Sequence, residues 1–279
     1  MDYDQDGQLD IFLTTAWVSA NTVDQLWRNQ GNGTFSRALA DVFNQVFDSN
    51  FGCWADYDND GHPDVLVAGG TAGTTRFYRN DGDGQFADIA SSLGLSSGGY
   101  GAWADYDNDG RLDLFETTGL YWNDGAGGFI LKTGAEYPAG GAGANNWFDF
   151  DNDGYLDFFT TWYPPNRRCM MHNNRDGTFT EVNLGALTGD PAGWLAGCAD
   201  YDNNGFIDVV VPYGTSNTPN DLYHNDGNEN HWMLVRLVGT LSNRSAIGAK
   251  VRAQATIWGQ EVRQMREISG TPWTGDPRA

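Results

Sequence analysis

The sequence predicts an all-β fold: a β-propeller of four-stranded blades followed by a short C-terminal β segment. Three observations carry that prediction. An acidic nine-residue motif occurs five times, beginning at Asp2, Asp56, Asp105, Asp149 and Asp200. Its copies recur every fifty or so residues, roughly the span of one propeller blade. Between the copies, short apolar runs alternate with Asn-Gly turns, and no amphipathic helical run appears through residue 228.

Each repeat presents its elements in one order. A strand containing Gly and aromatic residues leads into the acidic motif, ending in Trp54-Ala55, Trp103-Ala104 or Trp147-Phe148. A short apolar strand follows: Ile11 to Leu13, Val65 to Val67, Leu114-Phe115, Phe158-Phe159 and Val209 to Val211. Such continuous β-branched and aromatic runs suit strands buried on both faces. Next comes a hairpin, as in Leu26-Trp27-Arg28-Asn29-Gln30-Gly31 and Phe77-Tyr78-Arg79-Asn80-Asp81-Gly82, recurring around Asn123, Asn173 and Asn225. Asn and Gly tolerate the positive φ of tight hairpin turns. Four strands per repeat result, and repeated four-stranded units stack radially as blades. The Trp residues ahead of the acidic motifs are expected to pack between blades.

The acidic motif itself reads as a metal loop. Its copies supply Asp2, Asp4, Asp6 and Asp10; Asp56, Asp58, Asp60 and Asp64; Asp105, Asp107, Asp109 and Asp113; Asp149, Asp151, Asp153 and Asp157; and Asp200, Asp202, Asn204 and Asp208. A glycine at position six supplies the bend, since Gly takes positive φ without steric cost. Position seven holds Gln8, His62, Arg111, Tyr155 or Phe206, which share no side-chain chemistry, so a backbone carbonyl is the expected contribution there. One such stretch would read as a polar turn. Five, with a single Asn among the carboxylate positions, read as cation sites. A hard all-oxygen cage favours Ca²⁺, one ion per loop and up to five in all. Mg²⁺ demands stricter octahedral geometry, while zinc and copper favour sulfur or imidazole.

Asp105 to Glu116 also satisfies the EF-hand pattern, with Glu at position twelve. The other copies carry Leu13, Val67, Thr160 and Val211 there, and the Gly-rich flanks cannot form paired helices. Glu116 is expected to be incidental to the motif.

Composition narrows the function. The net charge is −21, and roughly half of the 37 acidic groups lie in the five loops. Lysine occurs only at Lys132 and Lys250, so the chain lacks the cationic surface that nucleic-acid binding requires. No run approaches the ~18 apolar residues of a membrane span. Met1 directly precedes the first motif, which leaves no room for a signal peptide and leads us to expect a preceding portion. Cys53, Cys169 and Cys198 have neither metal nor redox spacing; a packed apolar role is expected for Cys198, and a disulfide between any two is left open by spacing alone.

The acidic loop, the apolar strand after it and the Tyr-Arg-Asn-Asp-Gly hairpin together resemble the FG-GAP/VCBS repeat family of integrin-like β-propellers. The resemblance covers residues 1 to about 228. It implies calcium-bearing blades, commonly in a ring of seven, of which five are visible here. Residues 229–279 break the period. There, Asn230 to Leu237 and Gly239 to Val251 are similar to the start of the ASPIC/UnbV domain, and the pairing with the repeats resembles cartilage-acidic-protein-like secreted proteins. Val251, Ala253, Ala255 and Ile257 alternate with Arg252, Gln254 and Thr256, predicting a half-exposed strand that residues 260–268 can pair. The chain then runs through Thr271-Pro272-Trp273 to Ala279, short of the strands that domain would continue into, so the module is expected to be partial.

For function, the sequence offers no nucleophile elbow, P-loop or dinucleotide fingerprint. Carboxylates held on a metal stay ionised and make poor general acids, so no catalysis is expected. His62, His172, His224 and His231 lack zinc spacing, and the slot before the turn Asn, filled by Arg28, Arg79, Trp122, His172 and His224, reads as exposed scaffold. The expected function is an extracellular, cell-surface or periplasmic calcium-stabilised scaffold that binds a protein or glycan ligand. The alternative is a substrate-targeting or scaffold module of a larger, carbohydrate-active enzyme, which an aromatic-lined groove at one mouth would favour.

Overall fold

The computed structural model describes residues 1–15, 23–38, 41–44, 49–69, 75–95, 99–137, 143–163, 167–189, 195–213, 219–240 and 242–269. Its regular elements are nearly all strands, gathered in antiparallel sheets in chain order. The first blade holds β1 (Ile11–Leu13), β2 (Gln25–Asn29) and β3 (Phe35–Arg37). The second holds β4 (Ser49–Ala55), β5 (Asp64–Gly69), β6 (Thr75–Asn80) and β7 (Phe86–Asp88). The third holds β8 (Ala102–Ala104), β9 (Asp113–Glu116), β10 (Gly119–Asn123) and β11 (Phe129–Lys132). The fourth holds β12 (Asn145–Phe148), β13 (Asp157–Tyr163), β14 (Arg167–Asn173) and β15 (Phe179–Val182). The fifth holds β16 (Gly197–Ala199), β17 (Asp208–Val211) and β18 (Asp221–Tyr223), and a separate hairpin pairs β19 (Lys250–Ile257) with β20 (Gln260–Glu267).

The second, third and fourth blades have the four strands expected; the first and fifth have three among the described residues. In the first, the acidic loop begins at Asp2 with only Met1 ahead of it. In the fifth, no fourth strand forms among the described residues. Asn228 and Asn230 instead donate to the Asp151 carbonyl at 2.7 and 2.9 Å, which leads the chain across the loop of the fourth blade.

In the second and third blades the apolar second strands are buried, as their sequence predicts. Ile11 and Leu13 of the first blade and Val210 of the fifth are exposed, against the expectation of strands buried on both faces. The former are sandwiched between blades, whereas the latter lie in the first and last blades of the series. All six residues of β5 are buried, with Leu66 paired to Cys53 on one side and Phe77 on the other. Four clusters join neighbouring blades. Trp54 packs with Tyr3, Leu26 and Phe43 between the first and second. Trp103 meets Leu66, Phe77 and Tyr57 between the second and third, and Trp147 meets Tyr106, Phe115 and Phe158 between the third and fourth. Phe148, Phe159, Ile207 and Val209 join the fourth to the fifth, with Cys198 packed against them. Among the described residues no cluster joins the fifth blade to the first. The Trp positions are core, as expected, and the three cysteines are free thiols.

The C-terminal hairpin pairs the two strands the sequence leads us to expect, in a register that runs from Lys250 opposite Glu267 to Ile257 opposite Gln260. The segment from Gly270 onward, including Thr271-Pro272-Trp273, lies outside the described residues. Glu116 is fully buried at the end of β9, where it accepts hydrogen bonds from Thr118 at 2.6 Å and from Thr75 of the second blade at 3.4 Å. It stands apart from the acidic loop.

Candidate metal centre

The acidic motif is the connection between the first and second strands of a blade, and backbone amides fix all of its carboxylate-position side chains but Asp4, which pairs with Arg28. Position four turns the chain through positive φ: Gln5, Asn59, Asn108, Asn152 and Asn203 lie between 56° and 62°. Asn is the side chain that bears this conformation best. The position-six glycine then donates its N–H to Oδ2 of position one, from 2.8 Å at Asp149 to 3.2 Å at Asp56. Position five accepts the N–H of position seven, as at Asp6, Asp60, Asp109, Asp153 and Asn204. Position three accepts the N–H of position five at Asp58, Asp107, Asp151 and Asp202.

Position nine is a bracket. Oδ2 of Asp10, Asp64, Asp113, Asp157 and Asp208 accepts the position-two N–H of the same loop. Oδ1 accepts the N–H of the hairpin Asn: Asn29, Asn80, Asn123, Asn173 and Asn225, each at 2.8 Å. The Asn side chain then crosses to the preceding blade. Asn80 donates to the Tyr3 carbonyl, Asn123 to Tyr57, Asn173 to Tyr106 and Asn225 to Phe150, at 2.8 to 3.0 Å. A second set of links runs the other way, from the position-four amides of Gln5, Asn59, Asn108 and Asn152 to the glycine carbonyls of the next loop, Gly61, Gly110, Gly154 and Gly205. Each loop is thus clamped to its neighbours, and the hairpin Asn is more than a turn residue.

These brackets converge carboxylates. Oxygens of Asp56, Asp58 and Asp64 lie within 4.8 Å of one another, as do those of Asp105, Asp107 and Asp113, of Asp149, Asp151 and Asp157, and of Asp2, Asp4 and Asp6. Such clusters could hold a metal ion. A cation fits on a second ground: Oδ1 of Asp2, Asp56 and Asp105, and of Asp4, is buried without a hydrogen-bond partner. A carboxylate oxygen deprived of water and donors is costly unless something positive meets it. Burial, more than repulsion, pushes Asp64 up to about 8, Asp105 and Asp149 to about 7, and Asp10 to about 6. It carries Asp113 well above its ordinary value. Asp149 and Asp200 differ from the first three copies, because their Oδ1 accepts the N–H of position five.

The slot before the hairpin Asn is not idle scaffold, which corrects the sequence-based expectation. Arg28 places Nε 2.6 Å from Asp4 and Nη2 2.9 Å from Asp6. Trp122 donates Nε1–H to Asp107 at 2.8 Å. His172 Nδ1 stands 3.0 Å from Asp157 and forms a cluster with Asp151 and Asp153, while His224 Nε2 stands 2.9 Å from Asp202. Hydrogen bonding to Asp157 raises the His172 pKa. Arg79 turns back to its own hairpin, onto Asp81 at 2.8 Å, and His224 also places Nδ1 3.0 Å from Asp226 of its own hairpin. The register of the hairpin aims this position at the loop; its varied chemistry hid that from sequence.

The C-terminal segment covers the loop face. Trp232 lies over Gly205 and Ile257 over Gly154, each where a β-carbon would collide. Beneath it is a cavity of about 650 Å³, lined by Trp54, Trp103 and Trp147 from the blades and by Trp232, Trp258 and Met265 from the cover. The indole N–H of Trp147, itself 2% exposed, has no hydrogen-bond partner.

Four-stranded blades joined through acidic, carboxylate-converging loops define a repeat protein of the propeller class. The family profile described as FG-GAP-like repeat matches residues 2–67, 56–116 and 149–211, and the chain belongs to that family. A search of curated proteins finds no match. Among solved structures, the V. cholerae biofilm matrix protein Bap1 aligns with 75% of this chain and 31% of its own, at 19% identity and TM-score 0.46. The Photorhabdus luminescens Tc holotoxin pore aligns with 96% of this chain and 14% of its own, at 16% identity and TM-score 0.41. The chain therefore spans less than a third of the length of either.

Proposed function

We propose that this protein is a calcium-binding, extracellular β-propeller that serves as a ligand-binding or adhesion scaffold and has no catalytic activity. The observation that carries the reading is the set of buried, unpartnered carboxylate oxygens on Asp2, Asp56 and Asp105, beside position-three carboxylates in loops clamped by their neighbours. The donor set is almost wholly oxygen, on a flexible loop, which favours Ca²⁺ over Zn²⁺ or Mg²⁺. The ion would offset the like charges gathered in each loop and set the geometry of the inter-blade clamps. In this reading residues 1–228 are the propeller, part of a ring of about seven blades, and residues 229–279 are a partial ASPIC/UnbV-like module. Millimolar calcium is characteristic of the extracellular space, where sites of modest affinity are filled.

A second reading is supported by the cavity. Its indole walls, with the unpartnered Trp147 N–H, suit a polyhydroxylated ligand such as a glycan, as a targeting module of a carbohydrate-active enzyme would need. Labelled full chain applied to arrayed glycans and matrix proteins, in calcium and in EDTA, tests both. Calcium-dependent capture of a matrix protein supports the scaffold, and capture of a glycan lost on Trp232→Ala supports the second reading. Absence of bound calcium contradicts the first.

A further inference from the structure

The C-terminal hairpin meets the second loop through one cation. Lys250, at the start of β19, places Nζ 2.8 Å from Asp56 Oδ2, 2.7 Å from the Asp56 carbonyl and 2.7 Å from Asn59 Oδ1. Glu267, opposite it on β20, stands 3.7 Å away and accepts the Asp56 N–H at 3.4 Å. The Lys250 and Glu267 side chains are only 8% and 7% exposed, so solvent ions screen this cluster weakly. Asp56 divides its carboxylate: Oδ2 takes Lys250 and the Gly61 N–H, and Oδ1 is left buried without a hydrogen-bond partner.

The molecule contains its own control. The second and third loops both read Asp-Tyr-Asp-Asn-Asp-Gly and end in Asp64 and Asp113, so they offer the same carboxylates. They differ in what stands on position one. Asp56 bears the ammonium of Lys250 on Oδ2 beside the Gly61 N–H, while Asp105 Oδ2 takes the Gly110 N–H and its Oδ1 is buried without a hydrogen-bond partner. Lys132, the chain's other lysine, lies over the Trp122 ring.

We propose that Lys250 is a built-in competitor of the cation in the second loop, an inference that rests on the reading of these loops as calcium sites. A fixed positive charge sharing the Asp56 carboxylate lowers the affinity of that loop below that of the third. Linkage is reciprocal, so an ion in the second loop must loosen the Lys250 end of the hairpin by the same factor. Because that hairpin roofs the tryptophan-lined cavity, calcium at this one loop bears on access to it.

The test is calorimetric titration of calcium into the calcium-free full chain, as wild type, Lys250→Met and Lys250→Arg, with amide hydrogen exchange followed along β19. Lys250→Met should bind one ion about tenfold more tightly, the effect of removing one nearby like charge, and Lys250→Arg should not. Calcium should speed exchange at the start of β19 in wild type and not in Lys250→Met. Should methionine unseat the hairpin, Lys250→Gln keeps a donor for the Asp56 carbonyl without the charge. Unchanged or weaker calcium binding by the neutral variants overturns the competition while leaving the loops as calcium sites. A wild-type chain that takes up no calcium overturns both.

Discussion

The side-chain amide of Asn173 donates to the carbonyl of Tyr106, 2.8 Å away and one blade earlier, while its own N–H is held by the buried carboxylate of Asp157. One asparagine therefore connects the acidic loop of its own blade to that of its neighbour. Asn173→Ala removes the side-chain donor and leaves two buried carbonyls short of a partner, those of Tyr106 and Leu156. The expected cost is about 1–3 kcal/mol of unfolding free energy in denaturant titration. Asn29→Ala should cost less, because among the described residues the Asn29 amide donates within its own blade, to Leu9.

Trp147 is the inter-blade core residue whose loss should be felt most. It is 2% exposed and packs on Phe158 with ring centroids 4.8 Å apart and on Phe179 at 6.0 Å. Trp147→Ala is expected to destabilise by about 3–5 kcal/mol, and Trp147→Phe by clearly less, in the same titration.

The acidic loops predict an inverted pH response once cations are removed. Burial raises Asp64 to about 8 and Asp105 and Asp149 to about 7, above their unfolded values. A carboxylate raised on folding contributes its stability below the unfolded pKa, near 4, and loses it as pH climbs through the folded value. In EDTA the melting temperature should therefore fall between about pH 5 and pH 8, whereas calcium, which replaces the protons, should flatten or reverse that fall. A melting temperature in EDTA that rises over this range would contradict the assignment.

Arg28 makes the first loop a test of the slot residues. It pairs Asp4 and Asp6 from a side chain that is 44% exposed. Exposed pairs contribute little, so Arg28→Gln should cost under about 1 kcal/mol in EDTA. It should also strengthen calcium binding at one site severalfold, read by calorimetry, because a competing cation is gone.

Much of this was legible in the sequence because it repeats. The period, the apolar runs such as Val65 to Val67 and the Asn-Gly turns fix blades without any knowledge of packing. The Trp residues were readable as core because they recur in one register. The slot defeated the same logic: Arg28, Trp122, His172 and His224 share no chemistry, and only the hairpin register aims them at the carboxylates. The Asn latch was visible as a recurrent residue, but its second role depends on a carbonyl 67 residues away in Tyr106. Lys250 and Asp56 meet across 194 residues, a contact set by how the hairpin crosses the loop face. That no fourth strand forms in the fifth blade among the described residues likewise turns on Asn228 and Asn230 finding the Asp151 carbonyl.

The central claim is that the acidic loops are structural calcium sites. A calcium concentration ten times a site's dissociation constant adds about 1.4 kcal/mol for that site, so several sites together rival a domain's net stability of about 5–15 kcal/mol. The direct measurement is a thermal melt of the chain in calcium, in magnesium and in EDTA, with bound ions counted by native mass spectrometry. The account predicts a large rise specific to calcium with up to five ions per chain, and Asp107→Ala should remove one ion and its share of the rise. An equal melting temperature in all three conditions, with no ion retained, would show that the loops are polar turns.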